Sequence, residues 1–148
     1  MDNLTPEQRS YCMSRVKGRN TGLERLVGAA LRAHGLRFRT HVKTLPGRPD
    51  IVFSSARVAV FIDGDFWHGY RFPSWVHTIS PFWREKIGRN RDRDRRNFRR
   101  LRGLGWQVVR IWQHEAECDL AKAAGRVLAA VRSRTGLVLR VNVSSTRD

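Results

Sequence analysis

The sequence has no hydrophobic run long enough to cross a membrane and contains only two cysteines. A transmembrane helix needs about 20 consecutive apolar residues, and no stretch of this chain approaches that length. The N-terminal residues MDNLTPEQRSYC contain no apolar segment of the kind that directs secretion. Cys12 and Cys118 are too few for a disulfide framework or an all-cysteine zinc site. These absences predict a cytoplasmic protein with no membrane partner.

Acidic residues are scarce relative to basic residues. The 148 residues include 29 Lys and Arg but only 13 Asp and Glu, which gives a formal net charge of +16. Hydrophobic residues make up 41% of the chain, so it is not a disordered basic tail, and its length fits one domain. Such an excess of positive charge favours a polyanionic partner, above all nucleic acid. A ribosomal type of RNA binder and a merely soluble basic protein are the alternatives on charge alone.

The order of predicted elements indicates a mixed α/β fold. Apolar residues at helical spacing predict a helix from Thr21 to about Gly35. Strands are predicted over 36–42, 50–53, 57–62 and 106–112, with a long helix over about 82–103 and a last helix over 119–133. Residues 64–81 are predicted to form a loop, and 137–143 an edge strand. This order predicts a sheet flanked by helices.

Two aspartates fall at the ends of neighbouring strands. Asp50 opens one strand, and Asp63 follows the next strand, which is apolar enough to be central in the sheet. Because paired strands lie about 4.8 Å apart, the two carboxylates could reach one metal ion. Hard cations such as Mg²⁺ prefer oxygen ligands and leave room for a substrate phosphate. The alternative is that Asp50 caps a turn and that Asp63 belongs to an ordinary loop.

Glu24 and His68 are further candidates for this site. Glu24 lies next to the apolar stripe of the first helix, so it could reach inward, although a solvated glutamate would look the same. His68 has the side chain best suited to proton transfer near neutral pH. Most loop histidines are only polar surface, however. His34, His41 and His77 lie in no motif, and we assign them structural roles.

The long helix carries the densest charge. Residues 84–102 include ten Lys or Arg and three acidic residues, and nine of the ten are arginines. Arginine favours bidentate contacts with phosphate, so we interpret this segment as a phosphate-binding surface. Aromatic residues that could stack on bases or wedge between them lie nearby in the sequence, although some belong to the core. They are Phe66, Trp67, Trp75, Phe82 and Trp83.

Five sequence blocks together resemble the very short patch repair (Vsr) endonuclease family. The blocks are Gly47–Asp50, Val60–Gly69, Phe82–Asn90, Arg93–Arg96 and Gly105–Trp112, and they occur in the family's order. The resemblance extends from about Arg9 to Ala130. It implies a variant of the restriction-endonuclease-like PD-(D/E)xK fold, which agrees with the α/β prediction. The implied activity is a Mg²⁺-dependent nick in duplex DNA, 5′ to the mismatched T of a T·G mismatch.

The resemblance also assigns residues to roles. Asp50 matches the family's metal-binding aspartate, and Ile62 matches a position that offers its backbone carbonyl to the metal. Asp63 falls next to it, and we expect it to be a direct or water-mediated ligand of that ion. Glu24 and His68 match residues that orient or deprotonate the attacking water. Met13, Phe66, Trp67 and Trp83 match residues that enter the base stack beside the mismatch. Arg19, before the first helix, could contact a DNA phosphate, or it could belong to a simple loop and N-cap. The charge of the long helix adds the candidate DNA contacts Lys86, Arg89, Asn90, Arg93, Arg95 and Arg96.

One departure from the family concerns its structural zinc. Where the family has zinc-binding cysteines, this chain has Asp65 and Tyr70, with His114 near the last ligand position. One histidine and one aspartate do not make a tetrahedral structural site, so we predict no structural zinc. Instead, packing of aromatic side chains and an Asp65–His114 contact would hold the loop.

The sequence therefore predicts a DNA-contacting arm over 1–20, an endonuclease domain over 21–133 and an extension over 134–148. The resemblance implies a monomer that acts on double-stranded DNA with mismatch-repair proteins as partners; in a prokaryote it would be associated with the nucleoid. Two alternatives stay open. One is a nuclease of the same fold in a restriction or defence system, and the other is a nucleic-acid-binding protein without catalysis.

Overall fold

The computed structural model describes residues 21–145, with side chains over 22–135. Helix α1 (Thr21–Ala33) is followed by strands β1 (Arg39–Thr40), β2 (Ile51–Phe53) and β3 (Val58–Asp63). A short helix α2 (Phe72–Trp75) and a 3₁₀ turn (Val76–Thr78) precede the long helix α3 (Pro81–Gly103). Strand β4 (Gln107–Trp112), helix α4 (Gln113–Cys118) and helix α5 (Leu120–Ser145) complete the described chain. The predicted mixed α/β fold is thus confirmed at the level of its elements.

The four strands form one mixed sheet in the order β1-β2-β3-β4. Strands β1, β2 and β3 pair antiparallel, whereas β3 and β4 run parallel and are connected through α3. As predicted, β3 is central. All six of its residues are buried because helices cover both faces of the sheet.

The alternation of side chains along β3 divides the core between those two faces. Val58, Val60 and Ile62 pack with residues of α1 and α5, whereas Ala59 and Phe61 pack with Phe98 and Leu101 of α3. Because side chains alternate along a strand, Asp63 points to the α3 face. The carboxyl end of β3 therefore brings Asp63 and α3 together.

Three predicted elements differ from the structure. The strand predicted over 36–42 is reduced to β1, since His41 adopts a left-handed backbone (φ 53°) that an extended strand does not allow. The loop predicted over 64–81 contains α2, where Pro73 lies in the first turn and is tolerated there. The edge strand predicted over 137–143 is wrong, because α5 continues through those residues to Ser145. A short apolar run has the same appearance in a helix and in a strand.

Two further findings concern predictions on the chain as a whole. The domain boundary predicted after residue 133 falls inside α5. The predicted N-terminal arm, which includes Met13 and Arg19, lies outside the described residues. None of the described helices is both long and apolar enough to cross a membrane.

Candidate active site

Asp50 lies immediately before β2 and is held by the backbone of β3. Its N–H donates to the Val60 carbonyl at 3.0 Å, and its Oδ2 accepts the Ile62 N–H at 2.7 Å. The N–H and C=O of one strand residue point to the same side, so the Ile62 carbonyl faces the same edge as Asp50. The structure thus places the Asp50 carboxylate and the Ile62 backbone together.

Glu24 extends from α1 into the same site. Its carboxyl group forms a hydrogen bond with Asp50 and lies 2.8 Å from His41 Nε2. Glu24 points inward in the structure, as its position next to the apolar stripe of the first helix allowed. The contact of His41 was missed, because nothing in the sequence shows that a left-handed turn after β1 directs this ring toward α1.

Among the described residues, Asp50 has no cationic partner and Glu24 pairs only with His41. Burial, and to a smaller extent the nearby charges of Glu24 and Asp63, raise the pKa of Asp50 from 3.8 to about 8, against the lowering effect of the Ile62 hydrogen bond. Two carboxyl groups in hydrogen-bond contact must share a proton or bind a cation. This donor set of oxygen atoms fits a hard divalent cation.

Replacing Asp50 with asparagine is expected to stabilise the metal-free protein at pH 8. Between pH 3.8 and about 8 the folded protein keeps a proton on Asp50 that the unfolded chain releases. Stability therefore falls as the pH rises through this range, and it is lowest above the folded pKa. We expect the melting temperature at pH 8 in chelator to rise by about 5 °C in Asp50→Asn. At pH 4 the gain should largely disappear. The exposed Asp92→Asn serves as the control, and an equal gain there would contradict the assignment.

A second group of ionisable side chains lies at the carboxyl end of β3. His68 Nδ1 is 2.7 Å from Asp94 Oδ2, and His68 Nε2 is 3.5 Å from Asp63 Oδ1. Arg110 of β4 donates to both aspartates, each at 2.9 Å. One ligand atom each of Asp63, His68 and Asp94 lies within 4.8 Å of the others, so the three could also hold a metal ion.

Asp94 is the principal site residue that the sequence interpretation missed. It was counted among the acidic residues of a basic helix, but its side chain is buried against the sheet. A signal was present: Asp94 continues the stripe formed by Ile87, Phe98 and Leu101, which is the buried face of α3. A carboxylate on an apolar stripe needs a partner, and here it has His68 and Arg110.

The electrostatic balance of this second group differs from that of the first. Burial by itself would lower the pKa of His68, but the hydrogen bond with Asp94 and the charges of Asp63 and Asp94 raise it overall. Burial raises the pKa of Asp63, and His68 and Arg110 partly oppose this rise. Arg110 brings a positive charge to both aspartates of this group, whereas among the described residues Asp50 has no cationic partner and Glu24 pairs with His41 alone.

The aromatic residues predicted to enter the base stack belong to an aromatic cluster beside this site. The cluster consists of Phe66, Trp67, Phe72, Trp75 and Trp83. Phe66 is buried at its centre, so in this conformation its side chain is not on the surface. Trp67 and Trp83 are half-buried, and the Lys86 ammonium lies 5.0 and 5.5 Å from their rings. The buried Trp67 Nε1 has no hydrogen-bond partner within the described residues.

The basic residues predicted to contact DNA lie along α3. Asn90 donates to the Trp67 carbonyl at 2.9 Å and thus fixes the cluster to the helix. The remaining predicted contacts on this helix are exposed; they are Lys86, Arg89, Arg93, Arg95 and Arg96. The ion pairs of Arg89 with Glu85 and of Arg95 with Asp92 are solvent-exposed and hence weak. The helix therefore presents a surface suited to phosphate, as its composition predicted.

The loop after Asp63 is held in the way that the sequence predicted. His114 Nδ1 lies 3.0 Å from Asp65 Oδ1, and the Tyr70 ring packs against His114 and Trp112 at centroid distances of 4.3 and 5.0 Å. The Trp75 indole donates to the Tyr70 carbonyl at 2.7 Å. The expected Asp65–His114 contact is thus confirmed. Within the described residues, neither side chain belongs to a group of three potential metal ligands.

Comparisons with known proteins identify the family. Residues 1–73 match the sequence pattern of the family described as DNA mismatch endonuclease Vsr. The chain is 44% identical over 128 residues to the Type II nicking enzyme V.XorIIP of Xanthomonas oryzae pv. oryzae, covering 85% of this chain and 93% of that enzyme. It is 40% identical over 140 residues to the Type II nicking enzyme V.NmeDIP of Neisseria meningitidis serogroup C, covering 93% and 95%.

A third relative carries the family's own name. The DNA mismatch endonuclease Vsr of Escherichia coli is 40% identical over 110 residues, which cover 71% of this chain and 69% of that protein. With this extent of identity, and with the carboxylate and histidine groups assembled at the end of β3, the chain belongs to the Vsr family of DNA endonucleases.

Proposed function

We propose that this endonuclease nicks duplex DNA on the 5′ side of the mismatched T of a T·G mismatch, with Mg²⁺ as cofactor. The observation that carries the proposal is the hydrogen-bonded Asp50–Glu24 carboxyl pair beside the Asp63–His68–Asp94 group at one end of β3. Hydrolysis of a phosphodiester needs both a site for a hard cation and a base for the attacking water. The Asp50–Glu24 pair would supply the cation site, and the Asp63–His68–Asp94 group would supply the base.

Asp50 is the residue best suited to hold the cation. Its Oδ2 is fixed by the Ile62 N–H, and the Ile62 carbonyl at the same edge offers a second oxygen. Asp63 is close enough for its charge to act on Asp50 and could contribute directly or through a water molecule. When bound, the ion would supply Lewis-acid activation of the phosphate.

His68 is the candidate base, and Asp94 orients it. Nδ1 donates to Asp94, which fixes the ring and leaves Nε2 as the nitrogen that can accept a proton. Nε2 lies 3.5 Å from Asp63, beyond the length of a strong hydrogen bond. The negative charges of Asp63 and Asp94 favour protonated His68 and so make the ring a stronger base. Glu24, held by His41, would orient water beside Asp50.

Trp67 and Trp83 are the candidate residues for the mismatch itself. A side chain that wedges between base pairs costs a few kcal/mol of unstacking, and this cost is least at a mismatch. The Trp67 indole N–H has no partner among the described residues, so none of their hydrogen bonds is lost if the ring turns outward. The exposed arginines of α3 would bind phosphates next to the wedge. Phe66 could join the base stack only after leaving the centre of the aromatic cluster.

We also propose that the loop folds without zinc. Treatment of the purified protein with a chelator should then leave its melting temperature unchanged within about 1 °C. His114→Ala should lower the melting temperature by about 2–4 °C, through loss of the Asp65 contact and the packing on Tyr70. Stoichiometric zinc in the purified protein, together with destabilisation by chelator, would contradict this proposal.

Nick mapping under metal titration tests the proposed reaction. A duplex with one T·G mismatch and both strands end-labelled should yield one cut, 5′ to the T, whose rate rises with Mg²⁺ and vanishes in chelator. Cuts in both strands or at several positions would favour the alternative of a restriction or defence nuclease with another target. Metal-independent cleavage would contradict the assignment of the Asp50 group.

A further inference from the structure

A groove of about 460 Å³ opens beside β1 and β2. It lies between the β1–β2 loop, the β2–β3 turn and the turn that connects α3 to β4. Arg57 borders the groove and precedes β3, whereas Asp63 ends that strand. Six residue steps separate Arg57 from Asp63, a distance of about 20 Å. The groove shares no lining residue with the proposed cleavage site, although the β1–β2 loop that borders it also carries His41 and Asp50.

The polar groups of the groove are all able to donate hydrogen bonds. Arg39 and Arg57 supply two guanidinium groups, Thr44 and Ser54 supply hydroxyls, and Trp106 supplies an indole N–H. No acidic residue lines it, and these side chains form no ion pair or hydrogen bond within the described part of the chain. Two guanidinium groups without counter-charges, next to hydroxyl donors, are suited to an anion such as phosphate.

The rest of the lining is apolar. The Trp106 ring lines the groove together with Leu104, which is 56% exposed and one of the largest exposed hydrophobic side chains of the described residues. An aromatic ring beside apolar side chains is suited to the face of a nucleobase. An inorganic anion would leave this surface uncovered.

From this combination we propose that the groove binds a single-stranded segment of DNA, with phosphates on Arg39 and Arg57 and a base against Trp106. Because the family membership makes DNA the substrate class, a polynucleotide is the ligand that offers both phosphates for the arginines and bases for the Trp106 ring. A duplex could place phosphates near the arginines, but its bases are stacked inside and cannot reach Trp106. The site goes beyond the proposed nicking function, since a strand that separates next to a nick or a mismatch would supply the ligand.

Photo-crosslinking on the unaltered protein tests the site without relying on a variant that folds. A short oligothymidylate with one 5-iodouracil is bound in chelator, where no nicking occurs, and irradiated; the modified peptide is then identified by mass spectrometry. We expect a crosslink at Trp106. Crosslinks confined to Trp67 or Trp83 would place the single strand at the nicking site and overturn the proposal.

The second test of the groove measures how substituted proteins bind the oligothymidylate. Arg39→Gln together with Arg57→Asn should weaken binding of the oligothymidylate about tenfold, whereas Arg132→Gln, an exposed arginine outside the groove, should have little effect. Asparagine suits position 57 because its backbone is left-handed (φ 53°). Trp106→Leu should weaken binding similarly, and Trp106→Phe should restore much of it.

The same proteins separate this proposal from the nicking function. Nicking of a short T·G duplex should be unchanged in the Arg39→Gln/Arg57→Asn protein, because neither residue lies in the active site. Unchanged oligothymidylate affinity in that protein would overturn the groove proposal while leaving the nicking proposal intact. Labelled polyglutamate is the competing probe. If it binds in a manner that depends on Arg39 and Arg57 and the oligothymidylate does not displace it, the ligand is an acidic peptide and the proposal is wrong.

Discussion

Replacing Asp50 with asparagine is expected to slow nicking by at least about 10³-fold while duplex affinity in chelator changes less than about threefold. Asparagine keeps the size of the side chain, the acceptor for the Ile62 N–H and a hydrogen bond to Glu24. It removes the charge that would hold the cation. Single-turnover nicking on a T·G duplex measures the first effect, and fluorescence anisotropy with a labelled duplex measures the second.

The matched control is Asp92→Asn, an exposed carboxylate on α3 whose only described ion pair is a long one with Arg95. Its nicking rate should stay within about twofold of the unaltered protein, since surface ion pairs contribute little. Nicking retained in Asp50→Asn would contradict the assignment of Asp50. Loss of duplex binding in that variant would instead show that the residue serves to bind DNA.

Replacing Asp94 with asparagine is expected to slow nicking by about 10²–10³-fold. The amide can no longer stabilise protonated His68, and it can present an N–H rather than an oxygen to Nδ1 and to Arg110. Because positive charge on His68 then becomes less favourable, the apparent pKa in the pH–rate profile should fall relative to the unaltered protein.

This change in the pH profile separates an orienting role for Asp94 from a purely structural one. Asn97→Ala, at a half-buried position of the same helix, tests the effect of altering α3 without touching His68. A rate loss in Asp94→Asn with an unchanged pH profile and a lowered melting temperature would contradict the orienting role.

The parts of the fold that the sequence predicted well depend on local patterns. The apolar run of β3, the hairpin to β2 and the arginine-rich helix each follow from residues close together in the chain. The positions of Asp50 and Asp63 at strand ends follow from the same patterns. For this reason the sequence could propose a carboxylate site at this edge of the sheet without knowledge of the tertiary structure.

The contacts that the sequence did not predict join residues distant in the chain. Asp94 meets His68 across 26 positions, and Arg110 meets Asp63 across 47. His41 reaches Glu24 only because its left-handed backbone ends β1. No periodicity encodes such pairs. The helical course of residues 137–143 was missed for a different reason, because short apolar runs do not distinguish helix from strand.

The most direct test of the central claim compares nicking on two end-labelled duplexes that differ only by a T·G mismatch in place of a T·A pair, with Mg²⁺ present. We predict a single nick confined to the mismatched duplex and absent in Asp50→Asn. Equal nicking of the matched duplex would contradict the mismatch specificity and favour a restriction or defence nuclease. If neither duplex nor any other mismatch gives an Asp50-dependent product, the proposed catalytic function of this site is wrong.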